Sequence, residues 1–200
     1  MSWNMQVLCI GGSTRPGSSS ESAARVCAAA AVGLGATVDL IVGRDLMFPV
    51  YDTETTTRDP LARRFVDAVR AADALIIASP GYHGAMSGMI KNALDYLEDT
   101  RDDPRAYLDG MPVGCVAVAY GWQATVSTLH NLRVTAHALR GWPSPLGATI
   151  NASAGNVFDA RGECIDGPAR FQLETVTTQV VEFARLRKPA ADSLAALLLS

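Results

Sequence analysis

The sequence predicts an α/β fold: a doubly wound, five-stranded parallel sheet in strand order 2-1-3-4-5 with helices on both faces. Three observations carry that expectation. Short apolar runs alternate with helically periodic stretches five times along the 200 residues. Irregular Gly, Ser and aromatic residues follow strands 1, 3 and 4, which this order places side by side at the carboxyl edge of the sheet, where open α/β sheets bind ligands. A chain of this length, 48% hydrophobic, buries one sizeable core and is short for two.

Met5-Gln-Val-Leu-Cys-Ile10 is nearly continuously apolar, as expected for a strand covered on both faces, and stops at Gly11-Gly12. The following stretch, Ser13 to Ser22, is rich in serine and carries Arg15 before an Ala-rich helix, Ala23 to about Val32. Hydroxyls, free N–H groups and the positive end of a helix dipole suit one phosphate. The same composition also suits an ordinary turn with an N-cap. Its place after an apolar strand and its arginine favour the phosphate. Neither Gly-x-x-x-x-Gly-Lys-Ser/Thr nor Gly-x-Gly-x-x-Gly is present, so a monophosphate fits better than a pyrophosphate.

Ala36 to Val42 is the second strand, followed by a long connection, Gly43 to Asp59, whose length marks it as functional or mobile. Pro60 opens a helix with Leu61, Phe65, Val66 and Val69 on one face. Asp73 to Ala78 is strand 3, breaking at Ser79-Pro80-Gly81 into a donor-rich loop. Met86, Met89, Ile90, Ala93, Leu94 and Leu97 then recur at helical spacing, as core packing or, for the methionines, a subunit contact. Pro112 to Ala119 is strand 4, with Tyr120-Gly-Trp-Gln123 at its exit and a helix from about Val126 to Leu139. Ser144 to Ile150 contains the last strand, and Ala169 to Arg187 the closing helix, with Phe171, Val176, Val180 and Phe183 roughly on one face. Residues 1–188 form one domain and 189–200 an apolar tail expected to cover a core or subunit surface.

A net charge of -3 with no basic run gives no footprint for nucleic acid. No apolar run reaches the roughly 20 residues of a membrane span, and the N-terminus lacks the pattern of a signal peptide. Cys9, Cys27, Cys115 and Cys164 are dispersed without metal-ligand spacing, so they read as buried thiols in a reducing, cytoplasmic setting. His83, His130 and His137 belong to no evident catalytic triad. His83 lies in the loop after strand 3, where contact with a bound ligand or with solvent is expected ahead of proton donation, and Lys91 with Asp95 reads as an i,i+4 pair.

Gly12-Ser-Thr-Arg-Pro-Gly-Ser18, Ser79-Pro-Gly-Tyr-His-Gly84 and Gly88-Met-Ile-Lys-Asn-Ala-Leu-Asp95 together resemble the NAD(P)H-dependent FMN reductase family of flavodoxin-like proteins, over roughly residues 5 to 185. The resemblance implies a flavodoxin-like sheet and FMN as cofactor, with Ser13, Arg15, Ser18 and Ser20 on its phosphate. It also implies Pro80, Gly81, Tyr82, His83 and Gly84 along its ring, and Gly121 beside it. Tyr120-Gly-Trp-Gln123 departs from the Gly-Gly pair common in the family. NADPH or NADH delivers a hydride to the flavin, which needs no acid–base residue and no metal. Electrons pass to free flavin, a partner monooxygenase, a quinone or a similar acceptor, and the enzyme is expected as a homodimer or homotetramer. A flavodoxin-type electron carrier or a flavin-binding module without turnover are the alternatives, and Arg15 with the modest charge counts against the former.

Overall fold

Both faces of the sheet are covered, and the strand sequences show why. A computed structural model describes residues 4–198, with side chains described for 4–188. In β1 (Gln6–Gly11) and β3 (Ala74–Tyr82), Leu8, Ile10, Leu75 and Ile77 enter one core with Phe65, Ile90 and Leu94. Val7, Cys9, Ile76 and Ala78 alternate into a second core with Ala24, Cys27, Val176 and Val180. Period-two side chains with helices on each side make both sets apolar.

The first core is closed by α2 (Pro60–Ala71), α3 (Gly88–Asp95) and α4 (Trp122–Ala138), the second by α1 (Ser19–Gly33) and α5 (Gly167–Leu198). Strands β2 (Thr37–Val42), β1, β3 and β5 (Pro112–Ala119) are parallel neighbours in that order, so the expected doubly wound sheet is present. The fifth position is split. β6 (Trp142–Pro143) pairs with the start of β5 and β7 (Ala148–Asn151) with its end. Pro143 and Pro145 have no N–H to give a ladder, and Arg133 donates to the carbonyls of Ser144 (3.1 Å) and Pro145 (2.6 Å) in the interruption.

Several expectations are corrected. Strand 3 does not break at Ser79. Pro80, whose preceding residue is forced extended, still pairs with β5 (Ser79 with Ala117, Pro80 with Val118), and the strand ends in a hairpin with β4 (Ala85–Met86). Met86 is therefore a buried strand residue and no part of the helix. Helix α1 starts at Ser19 because Ser18 caps it, and α4 starts at Trp122, four residues before Val126. Phe171 is exposed, whereas Val176 and Val180 are buried, so the closing helix has a narrower apolar face than its sequence suggests. Met89 packs against the first core.

The long connection is pinned in place. Asn92 accepts from the Tyr51 N–H (2.9 Å) and donates to the Pro49 carbonyl (3.0 Å), and the Tyr96 hydroxyl donates to Pro49 as well (3.0 Å). Arg58 forks onto Asp99 at 2.7 Å through both contacts and lies 4.7 Å over the Tyr51 ring. Lys91 and Asp95 form the expected pair at 2.6 Å. All four cysteines are buried free thiols, and His130 and His137 are exposed on α4. The backbone of α5 is helical to Leu198, but the side-chain packing expected of the 189–200 tail lies outside the described residues. No helix among the described residues is long and apolar enough to cross a membrane.

Candidate functional site

The exits of β1, β3, β5 and β7 meet at one open cleft of about 250 Å3. Its lining divides by chemistry. At one end stand Ser13, Thr14, Arg15, Ser18, Ser19 and Ser20; at the other, Pro80, Gly81, Tyr82, Val118, Ala119, Tyr120 and Ala152. A hydroxyl-rich end with one cation beside an apolar, partly aromatic end matches a ligand that joins a phosphate to a flat ring.

The polar end is built by the local sequence. Ser18 is the N-cap of α1: its hydroxyl accepts from the Glu21 N–H (3.3 Å), and its carbonyl takes the Ser22 N–H (2.9 Å). The Ser18 and Ser20 hydroxyls lie 3.2 Å apart, and Ser13, Ser18 and Ser20 are all buried. First-turn N–H groups of a helix have no intrahelical partner, so this hydroxyl cluster sits where the backbone also offers donors. Arg15 is exposed, makes no ion pair among the described residues, and is the one charged residue in the lining. The neighbouring acid is turned to other work. Glu21 accepts from Arg25 (2.7 Å) and from the Gly17 N–H (3.1 Å), which removes much of its repulsion toward an anion.

Hydrogen bonds hold the two halves together. The Gly12 N–H donates to the Ala78 carbonyl (3.0 Å), and the Ser87 hydroxyl, N-cap of α3, donates to the Gly12 carbonyl (3.3 Å). The Ser79 hydroxyl accepts from the Ser87 N–H (3.0 Å) and donates to the Pro80 carbonyl (2.9 Å). The loop after β1 and the end of β3 are thus one bonded unit, which orients Pro80 to Tyr82 against the cleft.

His83 and Gly84 stand elsewhere. They are the two central residues of the β3–β4 hairpin, both at positive φ (51° and 86°), the backbone a two-residue hairpin turn needs. Neither lines the cleft. Gly121 is likewise outside the lining, between Tyr120 in the cleft and Trp122 at the start of α4; at φ 110° it occupies backbone space that strongly favours glycine. Its N–H donates to Asn151 Oδ1 (2.9 Å), which also accepts from the Ser153 N–H (3.0 Å) and hydroxyl (2.8 Å). Asn151 therefore fixes the β5 exit to the β7 exit. Nothing in its local sequence marks it, since it acts through partners outside any one motif. Thr14 and Ser19 were legible as members of the hydroxyl loop. Val118, Ala119 and Ala152 reach the cleft only through sheet register. Among the described residues no group of three or more His, Cys, Asp or Glu could hold a metal ion.

Comparison with known proteins identifies the family. Residues 5–155 match a family model described as NADPH-dependent FMN reductase. An NAD(P)H-dependent FMN reductase of Pseudomonas aeruginosa is 34% identical over 177 residues, 85% of this chain and 90% of that protein. An FMN-dependent NADPH-azoreductase of Staphylococcus haemolyticus is 30% identical over 120 residues, 60% of each chain. The solved structure of FerB, a flavoenzyme NAD(P)H:(acceptor) oxidoreductase from Paracoccus denitrificans, superposes with a TM-score of 0.75 at 21% identity, covering 90% of this chain and 97% of that one; at this identity the likeness shows the flavodoxin-like fold.

Proposed function

Since the chain belongs to the NADPH-dependent FMN reductase family, we propose that its cleft binds FMN with the phosphate at Ser13, Arg15, Ser18 and Ser20 and the ring along Pro80, Gly81 and Tyr82. The single observation that carries the reading is the divided lining: six hydroxyl or cationic residues at one end and a mostly apolar wall at the other. His83, Gly84 and Gly121 serve from beside the cleft, by shaping the hairpin and the β5 exit. The chain is an NAD(P)H-dependent flavin oxidoreductase. Held there by Ser13, Arg15, Ser18, Ser20 and Pro80 to Tyr82, FMN would supply the redox chemistry, acceptance of a hydride from the nicotinamide and its delivery to an acceptor.

The residues of the chain bind and orient. Buried hydroxyls and the α1 N-terminus hold the anionic end at fixed depth. The bonded Gly12–Ser87–Ser79 unit sets the tilt of the ring wall, and Tyr82, Tyr120 and Ala152 limit water over it. No side chain needs to move a proton for hydride transfer, so alignment of the two rings is the protein's main contribution. The acceptor is free flavin, a partner monooxygenase, a quinone or a similar compound; the azoreductase names of relatives support a flat aromatic acceptor. A homodimer or homotetramer is supported by the apolar groove of Trp142, Phe183 and Leu186, in which Trp142 stays half exposed although it stacks on Phe183 at 5.1 Å. The four buried free thiols support a reducing, cytoplasmic setting.

Titrating the purified protein with FMN and following NADH and NADPH oxidation tests the reading. Tight FMN binding with turnover is expected. Bound FMN without nicotinamide oxidation would indicate an electron carrier or a non-catalytic module, and no FMN binding would overturn the assignment of the cleft.

A further inference from the structure

A second hollow, of about 230 Å3, lies beside the cleft on the other side of the wall made by Tyr120–Trp122 and Asn151–Ala152. Tyr120 and Ala152 face the cleft, whereas Trp122 and Asn151 face the hollow, and the Gly121–Asn151 bond joins them. Trp122 is 58% exposed and lines the hollow, so its indole offers an accessible stacking face there. Around it stand polar groups with bonding capacity to spare. Gln172 Oε1 accepts from the Thr149 N–H (2.9 Å), and its amide nitrogen has no partner among the described residues. Asp166 Oδ1 caps α5 by accepting from the Ala169 N–H (2.7 Å), which leaves its second oxygen unpaired there. Asn156 makes no hydrogen bond among the described residues.

We infer that this hollow binds the adenosine end of the nicotinamide dinucleotide, with the purine stacked on Trp122 and its edge read by Gln172, Asn156 and Asp166. The inference rests on the cleft being the FMN site, because the reacting nicotinamide must lie over the flavin there and a hollow behind the wall can hold only a part of the ligand that does not react. A purine offers one stacking face with donors and acceptors along its rim, and the hollow offers one indole with an amide donor, an amide of either sense and a carboxylate acceptor. The wall between the two sites adds a third feature. Helix α4 begins there with Gly121 as N-cap and no side-chain cap, so its first-turn N–H groups are open to the pyrophosphate that links the two halves of the coenzyme. Binding energy from the remote adenosine would position the nicotinamide over the flavin.

The test uses 5′-AMP as probe, with calorimetry on both the FMN-loaded and the FMN-free protein, and steady-state kinetics with NADH and NADPH. Trp122→Leu is expected to weaken AMP binding about tenfold and to raise KM for both coenzymes in proportion, with kcat and FMN affinity held. Trp122→Phe restores most of the loss. Absence of AMP binding to the parent protein would overturn the inference even where NADH is oxidised with FMN present, as would AMP affinity and KM unchanged in Trp122→Leu. A Trp122→Leu variant that loses FMN affinity or kcat at constant KM would place the indole in the flavin cleft instead. Failure of the parent to bind FMN or oxidise either coenzyme tells against the flavin reading, and the AMP titration of the FMN-free protein still decides the hollow.

Discussion

Replacing Arg15 by Ala separates ligand binding from folding, because this side chain has so little to do in the protein itself. Arg15 is exposed and makes no ion pair among the described residues, so its removal should move the melting temperature of the FMN-free protein little, in line with surface substitutions worth less than about 0.5 kcal/mol. Toward the phosphate it is the one cation in the lining. A charge-assisted hydrogen bond contributes about 1.5–3 kcal/mol when shielded and less when exposed. For an exposed guanidinium a loss of about 1–2 kcal/mol is reasonable, or roughly fivefold to thirtyfold in the Kd for FMN. The assay is quenching of flavin fluorescence, run in parallel with riboflavin, which has the ring without the phosphate. FMN affinity should fall in Arg15→Ala while riboflavin affinity stays the same, and added salt should narrow the difference between parent and variant. Equal loss for both flavins would refute the reasoning by placing Arg15 near the ring, and unchanged FMN affinity would place the phosphate elsewhere.

Gly81→Ala should destabilise the protein by about 1–3 kcal/mol in chemical denaturation, because the added Cβ would lie 2.5 Å from Thr128 Oγ1 and 3.0 Å from Ala119 Cβ. Adding Thr128→Ala should recover part of that loss; no recovery would place the strain at the Ala119 contact or in the backbone of β3. Asn92→Ala leaves the Tyr51 N–H and the Pro49 carbonyl without their amide partner, a cost of about 1–3 kcal/mol. It should speed proteolytic cleavage within residues 52–57, and an unchanged cleavage rate would mean Arg58 and Tyr96 hold the connection alone. Burial pushes the Cys27 and Cys115 thiols up from 9.0 to about 12. The unfolded chain ionises these groups first, so their contribution to stability is complete below about pH 9 and falls as pH rises toward 12. Denaturation midpoints across that window should decline, and a thiol reagent at pH 8 should label the native protein far more slowly than the unfolded chain; rapid labelling of the native state would contradict the burial.

Much of the fold is legible in the sequence because its determinants are local. Leu8 and Ile10 alternate with Val7 and Cys9 in a strand covered on both faces, and that apolar continuity is written within six residues. Pro60 opens α2 as its position indicates, with Asp59 capping through a bond two residues on, whereas the Ser18 and Ser87 caps start α1 and α3 at positions that apolar periodicity alone misplaces. The hydroxyl loop is legible as a candidate phosphate site for the same reason, since its serines and the helix start that supports them are neighbours in the chain.

What the sequence could not reveal depends on partners far along it. Ser79 to Tyr82 read as a loop because Pro and Gly interrupt the local pattern, yet β5 and β4 pair with those residues and keep them extended. The divided fifth strand arises from how residues 142–151 meet the two ends of β5. His83, singled out as a ring contact, is held by hairpin geometry at the turn, outside the cleft lining. Asn151, thirty positions from Gly121, joins two strand exits and so decides which face of the wall carries Tyr120 and which carries Trp122. Periodicity and capping are set by neighbours within about four residues. The walls of the cleft and hollow are set by register between strands that meet only when the sheet has formed.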